Sequence, residues 1–284
     1  MKLVSYRFKG KESYGVVVED GVVDLGRKLG KKAPTLRAAL EARLLPEIKR
    51  IANSARKTDA PLGKIEFLPV IPNPDKIICI GLNYATHIKE TGRDMPAYPM
   101  LFTRYPNAQV GHNQPLIRPK VSEKFDFEGE LAVVIGRRCR HVSKDKALGV
   151  VAGYSCFNDG SIRDWQRHTA QYMPGKNFFR SGAFGPWLVT TDEIRDPSTL
   201  TLETRLNGQV MQHATTDDLV FDVKACIEYI STFTELYPGD VISTGTTGGV
   251  GAFRNPPVWM KPGDVIEVDI SKIGVLRNTI KDEK

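Results

Sequence analysis

Residues 125–136 read FDFEGELAVVIG. From Leu131 to Ile135 no polar residue intervenes, and a run apolar on both faces belongs in the middle of a sheet covered from both sides. At the mouth of that run stand Glu128 and Glu130, two residues apart and so on one side of an extended chain. Two like charges there are costly unless something neutralises them. A hard divalent cation such as Mg²⁺ or Mn²⁺ would do so, because it favours carboxylate and water oxygens. A third oxygen is on offer from Asp159, where the next apolar segment, GVVAGYSCFNDG, turns polar. The plainer reading is two solvated glutamates at a strand start and an Asx turn at Asn158-Asp159. Asp126 lies on the same side as Glu128, as an outer support or as part of the turn.

Working outward, the chain reads as a strand-dominated mixed α/β protein. KIICIGLNY (76–84) is an apolar strand running into a Gly-Asn turn, and Asn207-Gly208 marks a hairpin. Asp222 to Phe233 carries Val223, Ile227 and Ile230 on one helical stripe. TELYPGDVISTG and MKPGDVIEVDISKIGVLRN both read as strands with Pro-Gly-Asp turns. Towards the N-terminus, LVSYRF and YGVVVEDGVVDL predict hairpins. Leu36, Leu40, Leu44, Ile48 and Ile51 predict helix, interrupted at Pro46. The Pro-rich IPNPDK suggests a boundary near residue 70, giving a small N-terminal domain (1–70) and a larger domain (71–284), expected to hold whatever catalytic and metal-binding residues the chain has.

Composition narrows the function. The 284 residues are 41% hydrophobic and 26% charged, which argues against global disorder. No window approaches a membrane span, and the N-terminus has no apolar stretch long enough for a signal peptide, so the expectation is a cytoplasmic protein. Cys79, Cys139, Cys156 and Cys226 form no CxxC pair and read as small buried hydrophobes. Residues 1–64 carry a net +8 and the remainder −1, for +7 in all, and the N-terminal lysines and arginines are scattered without interleaved aromatics. That distribution argues against a nucleic-acid partner. No GxGxxG or Walker loop stands at a strand-to-helix junction, which removes dinucleotide and P-loop readings.

Further polar islands carry possible chemistry. In GLNYATHIKE (81–90), His87 and Glu90 are three apart, within hydrogen-bond reach on a helical turn. Such a pair acts as a general base when the acid orients the imidazole, although an idle surface histidine has the same spacing. TGRDMPAY, which follows, suits a lid. Arg163, Gln166 and Arg167 share a face if their segment is helical. Lys176, in the loop PGKNFF, is either a surface charge or a group that grips an anion beside the cation. STGTTGGVGAF (243–253) is either an anion cradle or a tight turn.

Taken in order, these pieces resemble the fumarylacetoacetate hydrolase family from about residue 75 to 280. The motifs are GLNYxxHxxE at 81–90, FDxExE at 125–130, GYxxxND at 153–159, SxRDWQ at 161–166, GK at 175–176, GPWLVTxDEI at 185–194, the Asn-Gly hairpin with Gln212, PGDVIxTGT at 238–246 and PGDVIEVxIxxIGxLRN at 262–278. The resemblance implies a β-roll with a small N-terminal α/β module. It implies Glu128, Glu130 and Asp159 as ligands of Mg²⁺ or Mn²⁺, with Ca²⁺ able to substitute. His87 and Glu90 are implied as the dyad that activates water, and Lys176 as the lysine assisting bond cleavage. Arg163 and Gln166 are implied as substrate and oxyanion contacts, and Thr246 as a carboxylate contact. Thr247 stands where the family's GTPxGVG loop has proline, and Phe179 where its GKxFD has an acid.

The implied activity is metal-dependent C–C bond hydrolysis of a 2,4-dioxo acid or ring-fission product of the fumarylpyruvate or acylpyruvate kind, in aromatic compound catabolism. The alternatives are oxaloacetate decarboxylation, or isomerisation or hydration of 2-oxo enoic acids. A homodimer acting on a small anionic oxo acid, with neither membrane nor nucleic-acid partner, completes the expectation.

Overall fold

The computed structural model describes all 284 residues. Its strand Gly129–Ile135 is buried at every position. It runs antiparallel between Val151–Asn158 and Val241–Thr246 in the middle of a 12-stranded mixed sheet. Its alternate residues feed two cores. Leu131, Val133 and Ile135 join a cluster with Leu202, Ile266, Val268 and Ile270 from a second, five-stranded sheet. Ala132 and Val134 join Leu36, Leu40 and Ile48 on the other side. The double-sided apolar pattern therefore follows from a sheet covered by strands on one face and by N-terminal helices on the other.

The N-terminal segment is built as strands Lys2–Phe8, Lys11–Val18 and Gly21–Asp24 with helices Leu36–Glu41 and Leu45–Ser54. Pro46 sits in the first turn of the second helix, where its missing N–H costs nothing. Lys2–Phe8 pairs with Gly182–Thr190 at Leu3↔Leu188, which makes the segment a continuation of the central sheet. The architecture is thus mixed α/β around a dominant sheet, with smaller N-terminal α/β elements.

The second sheet orders Gln209–Thr215, Thr201–Leu206, Val265–Ile270, Gly274–Asp282 and Leu116–Arg118. Asn207-Gly208 makes its hairpin turn, with both residues at positive φ. Gly129 lets the two sheets approach: a Cβ there would lie 2.1 Å from Thr204 Oγ1. The helix read from Asp222 onward is Val223–Phe233, with the Asp222 carboxylate accepting from the Ala225 N–H as its N-cap. No helix is long and apolar enough to cross a membrane.

Candidate active site

Three carboxylates converge where the central strands begin and end. Glu128 precedes Gly129–Ile135, Glu130 lies on it, and Asp159 follows Val151–Asn158. One oxygen from each lies within 4.8 Å of the others, and all three residues are buried. The register brings them together: Gly129 pairs with Asn158, and the Asp159 N–H donates to the Glu128 carbonyl at 2.9 Å. This is a candidate divalent-cation site composed only of hard oxygen donors.

The surroundings test whether a cation fits. Glu130 Oε2 accepts from Ser243 Oγ at 2.5 Å and from the Gly245 N–H at 3.0 Å, which leaves Oε1 without a protein donor in the cavity that Glu130 lines. Burial and the neighbouring charges of Asp159 and Glu128 push the Glu130 carboxyl well above its ordinary range. Lys176 Nζ sits 2.5 Å from Glu128 Oε2 and 2.6 Å from Asp159 Oδ2. Arg163 Nη2 lies 2.6 Å from Glu128 Oε1. Burial works to raise the Glu128 carboxyl, yet Arg163 and Lys176 outweigh it and hold the group below the usual carboxylate range. An under-donated oxygen, a carboxyl that resists ionising and three converging carboxylates fit a divalent cation.

His87 and Glu90 lie on helix Ala85–Thr91, whose spacing brings His87 Nδ1 to 3.0 Å from Glu90 Oε2. The Gly249 N–H also donates to Glu90, at 3.0 Å from Oε1. Burial would raise the Glu90 carboxyl, but the hydrogen bonds from His87 and Gly249 prevail and lower it. Nδ1 being occupied, Nε2 is the nitrogen left to face a substrate.

The glycine-rich loop cradles anions, and they belong to the protein itself. Its Gly245 N–H serves Glu130, Gly249 serves Glu90, and Gly251 and Ala252 serve Asp126 at 2.8 and 2.9 Å. Gly249 needs to be glycine twice over, at φ +95 and with the Met211 carbonyl 2.2 Å from where a Cβ would stand. Asp126, fully buried, also accepts from Arg163 Nε at 2.7 Å, so it ties the loop to that arginine.

Arg163 begins a helix of only four residues, Arg163–Gln166, and its Nη1 donates to Gln166 Oε1 at 3.0 Å. Arg167 follows as its C-cap rather than extending the helical face. The Thr246 hydroxyl accepts from Gln212 Nε2 at 2.8 Å and donates to the Gly129 carbonyl at 3.0 Å, which commits its single proton to the protein. Glu128, Glu130, His87, Arg163, Gln166, Lys176 and Thr246 line one cavity of about 100 Å³, joined by Arg93, Phe102, Arg167, Tyr172 and Phe253. Asp159 stands behind this lining. Sequence reasoning did not single out Ser243, Phe102, Tyr172 or Arg104. Arg104, flanking the apolar strand Met100–Thr103, is wholly buried against Asp159; an arginine beside MLF was the available clue.

Fold and site define a protein of the fumarylacetoacetate hydrolase class: the family profile described as fumarylacetoacetate (FAA) hydrolase C-terminal matches residues 76–281, and the chain belongs to this family. Among its relatives, the mitochondrial oxaloacetate tautomerase Fahd2a of Rattus norvegicus is 37% identical over 99% of this chain and 91% of its own. The 5-carboxymethyl-2-hydroxymuconate delta-isomerase of Mycobacterium smegmatis superposes with a TM-score of 0.78 at 32% identity, over the whole of both chains. The maleylpyruvate hydrolase of Sphingobium sp. SYK-6, solved with manganese(II) and pyruvate, gives 0.83 at 27% identity, also over the whole of both.

Proposed function

We propose that the protein is a divalent-cation-dependent enolising enzyme that interconverts the enol and keto forms of a small 2-oxo dicarboxylate of the oxaloacetate kind. This favours isomerisation over the C–C hydrolysis first expected. The observation that carries it is the similarity to an oxaloacetate tautomerase along 99% of the chain, joined to a histidine–glutamate dyad at 3.0 Å facing a cavity lined by cationic and amide groups. Glu128, Glu130 and Asp159 would hold Mg²⁺ or Mn²⁺, which supplies Lewis-acid polarisation of the oxo group when bound.

The chain's own groups account for the proton traffic. Tautomerisation moves one proton between the enol oxygen and C3 and consumes no water. His87 Nε2 takes the proton at one position and returns it at the other. Glu90, kept charged by His87 and the Gly249 N–H, supports the imidazolium between the two transfers. Arg163 and Lys176 face the negative charge that develops on the oxo oxygen, and Gln166 Nε2 is free to donate because Oε1 is the atom Arg163 engages.

The test is the decay of the oxaloacetate enol absorbance in the presence of Mn²⁺. Acceleration without release of pyruvate is expected. In His87→Ala the acceleration should vanish while Mn²⁺ affinity stays unchanged. If enol decay is not accelerated and an acylpyruvate is cleaved instead, the reading gives way to hydrolysis. That second reading is supported by the hydrolase neighbour crystallised with pyruvate. In it, His87 would activate water rather than shuttle a substrate proton.

A further inference from the structure

Arg104 has no place in the chemistry above, yet it is among the most deeply buried large side chains in the molecule. It follows strand Met100–Thr103, and its backbone N–H donates to the Ile77 carbonyl at 3.1 Å, which anchors it to the neighbouring strand. Its Nη1 pairs with Asp159 Oδ1 and donates to the Gly160 carbonyl at 2.9 Å. Its Nη2 donates to Ser181 Oγ at 2.8 Å. Gly182 leaves room for this fork, since a Cβ there would stand 2.7 Å from Nη2. Side chains of Arg104 and Asp159 have no exposed surface at all.

The two Asp159 oxygens are therefore served separately. Oδ1 takes Arg104, and Oδ2, 2.6 Å from Lys176, shares that ammonium with Glu128 Oε2 and so faces the other carboxylates. An arginine held by one side chain, one carbonyl and one carboxylate cannot swing away. We propose that Arg104 is a positioning residue: it locks the Asp159 carboxylate from behind, so that Oδ2 stays aimed at the point shared with Glu128 and Glu130.

A rival effect has the opposite sign, which makes the idea testable. A permanent positive charge on a ligand carboxylate withdraws negative potential from a bound cation. If Arg104 were only a counter-charge, removing it would tighten cation binding. If it orients the ligand, removing it weakens binding, because the carboxylate then pays its ordering entropy at the moment of binding.

The experiment is Mn²⁺ titration by calorimetry of the unaltered full chain, Arg104→Met, Arg104→Lys and Ser181→Ala, with thermal unfolding alongside. Arg104→Met should weaken Mn²⁺ binding by about 10–100-fold. Arg104→Lys, which keeps one donor on Asp159 Oδ1, should restore most of that loss. Ser181→Ala keeps the charge and frees only Nη2, and should weaken binding roughly fivefold. At saturating Mn²⁺, Arg104→Met should regain turnover, since no substrate contact was removed. Unchanged or tighter Mn²⁺ binding in a folded Arg104→Met overturns the proposal. Should that variant not fold, unchanged binding in Ser181→Ala does so. The inference rests on the trio being a cation site, and the two failures separate: an unaltered protein that binds no Mn²⁺ overturns both, whereas normal binding that ignores Arg104 overturns this one alone.

Discussion

Replacing Lys176 by Met tests how the buried charges are balanced. The ammonium is 2% exposed and lies 2.5 Å from Glu128 and 2.6 Å from Asp159. Without a bound cation, its removal leaves both carboxylates short of a partner. Each retains one cation, Arg163 on Glu128 and Arg104 on Asp159. The loss should therefore fall at the low end of the range for breaking a buried ion pair, about 3 kcal/mol. For a protein of this size that is a fall in Tm of about 6–12 °C. With Mn²⁺ present at roughly a hundredfold over the Kd of the unaltered protein, that protein gains about 2.7 kcal/mol. The variant gains more, because no ammonium competes for Glu128 and Asp159. Thermal unfolding in EDTA and in Mn²⁺ should thus show a large gap between the two proteins that shrinks to a few degrees when the cation is supplied. An equal gap in both conditions, or none in EDTA, would refute the balance described here.

Glu130→Gln should lose more than tenfold in Mn²⁺ affinity, consistent with a lost oxygen ligand, yet melt no lower than the parent in EDTA, because the folded protein already disfavours the charged carboxyl; a lower melt in EDTA would contradict that. Gly249→Ala forces a Cβ at φ +95 against the Met211 carbonyl and should cost about 1–3 kcal/mol while detaching Glu90, so turnover should fall with Mn²⁺ affinity intact; a stable, fully active variant would show the loop to be dispensable. Burial, with help from Arg277, pushes the His112 imidazole down to about 4. The unfolded chain then binds that proton more tightly than the folded one, so the contribution is whole above about pH 6.5 and is lost as pH falls towards 4, on the order of 2 kcal/mol after allowance for partial exposure. His112→Gln should flatten the acid limb of the Tm profile, and an unaltered limb would exclude His112 as its source.

Much of the site was legible because it depends on short spacings. An offset of two from Glu128 to Glu130 sets a shared side of an extended chain, and an offset of three from His87 to Glu90 sets a hydrogen bond on one helical turn. The glycine-rich loop was half legible. Its composition marked exposed backbone donors, but nothing local said that they would hold Glu130, Glu90 and Asp126 rather than a substrate. Thr246 shows the same limit, for its hydroxyl is committed to Gln212 and Gly129 through pairings across the sheet.

From the chain alone came the apolar strand at 129–135, the carboxylates at its mouth and the dyad, because burial on each face imposes a period that a sequence displays directly. Tertiary structure decided the rest. Arg104, 55 residues ahead of Asp159, meets it only through the pairing of Ile77–Gly81 with Met100–Thr103 and the turn at Gly160. The cavity's small volume likewise arises where separate elements close on one another. Periodicity is a property of neighbours in sequence. Convergence depends on sheet register and on which buried charges must find each other, and those are properties of the whole fold.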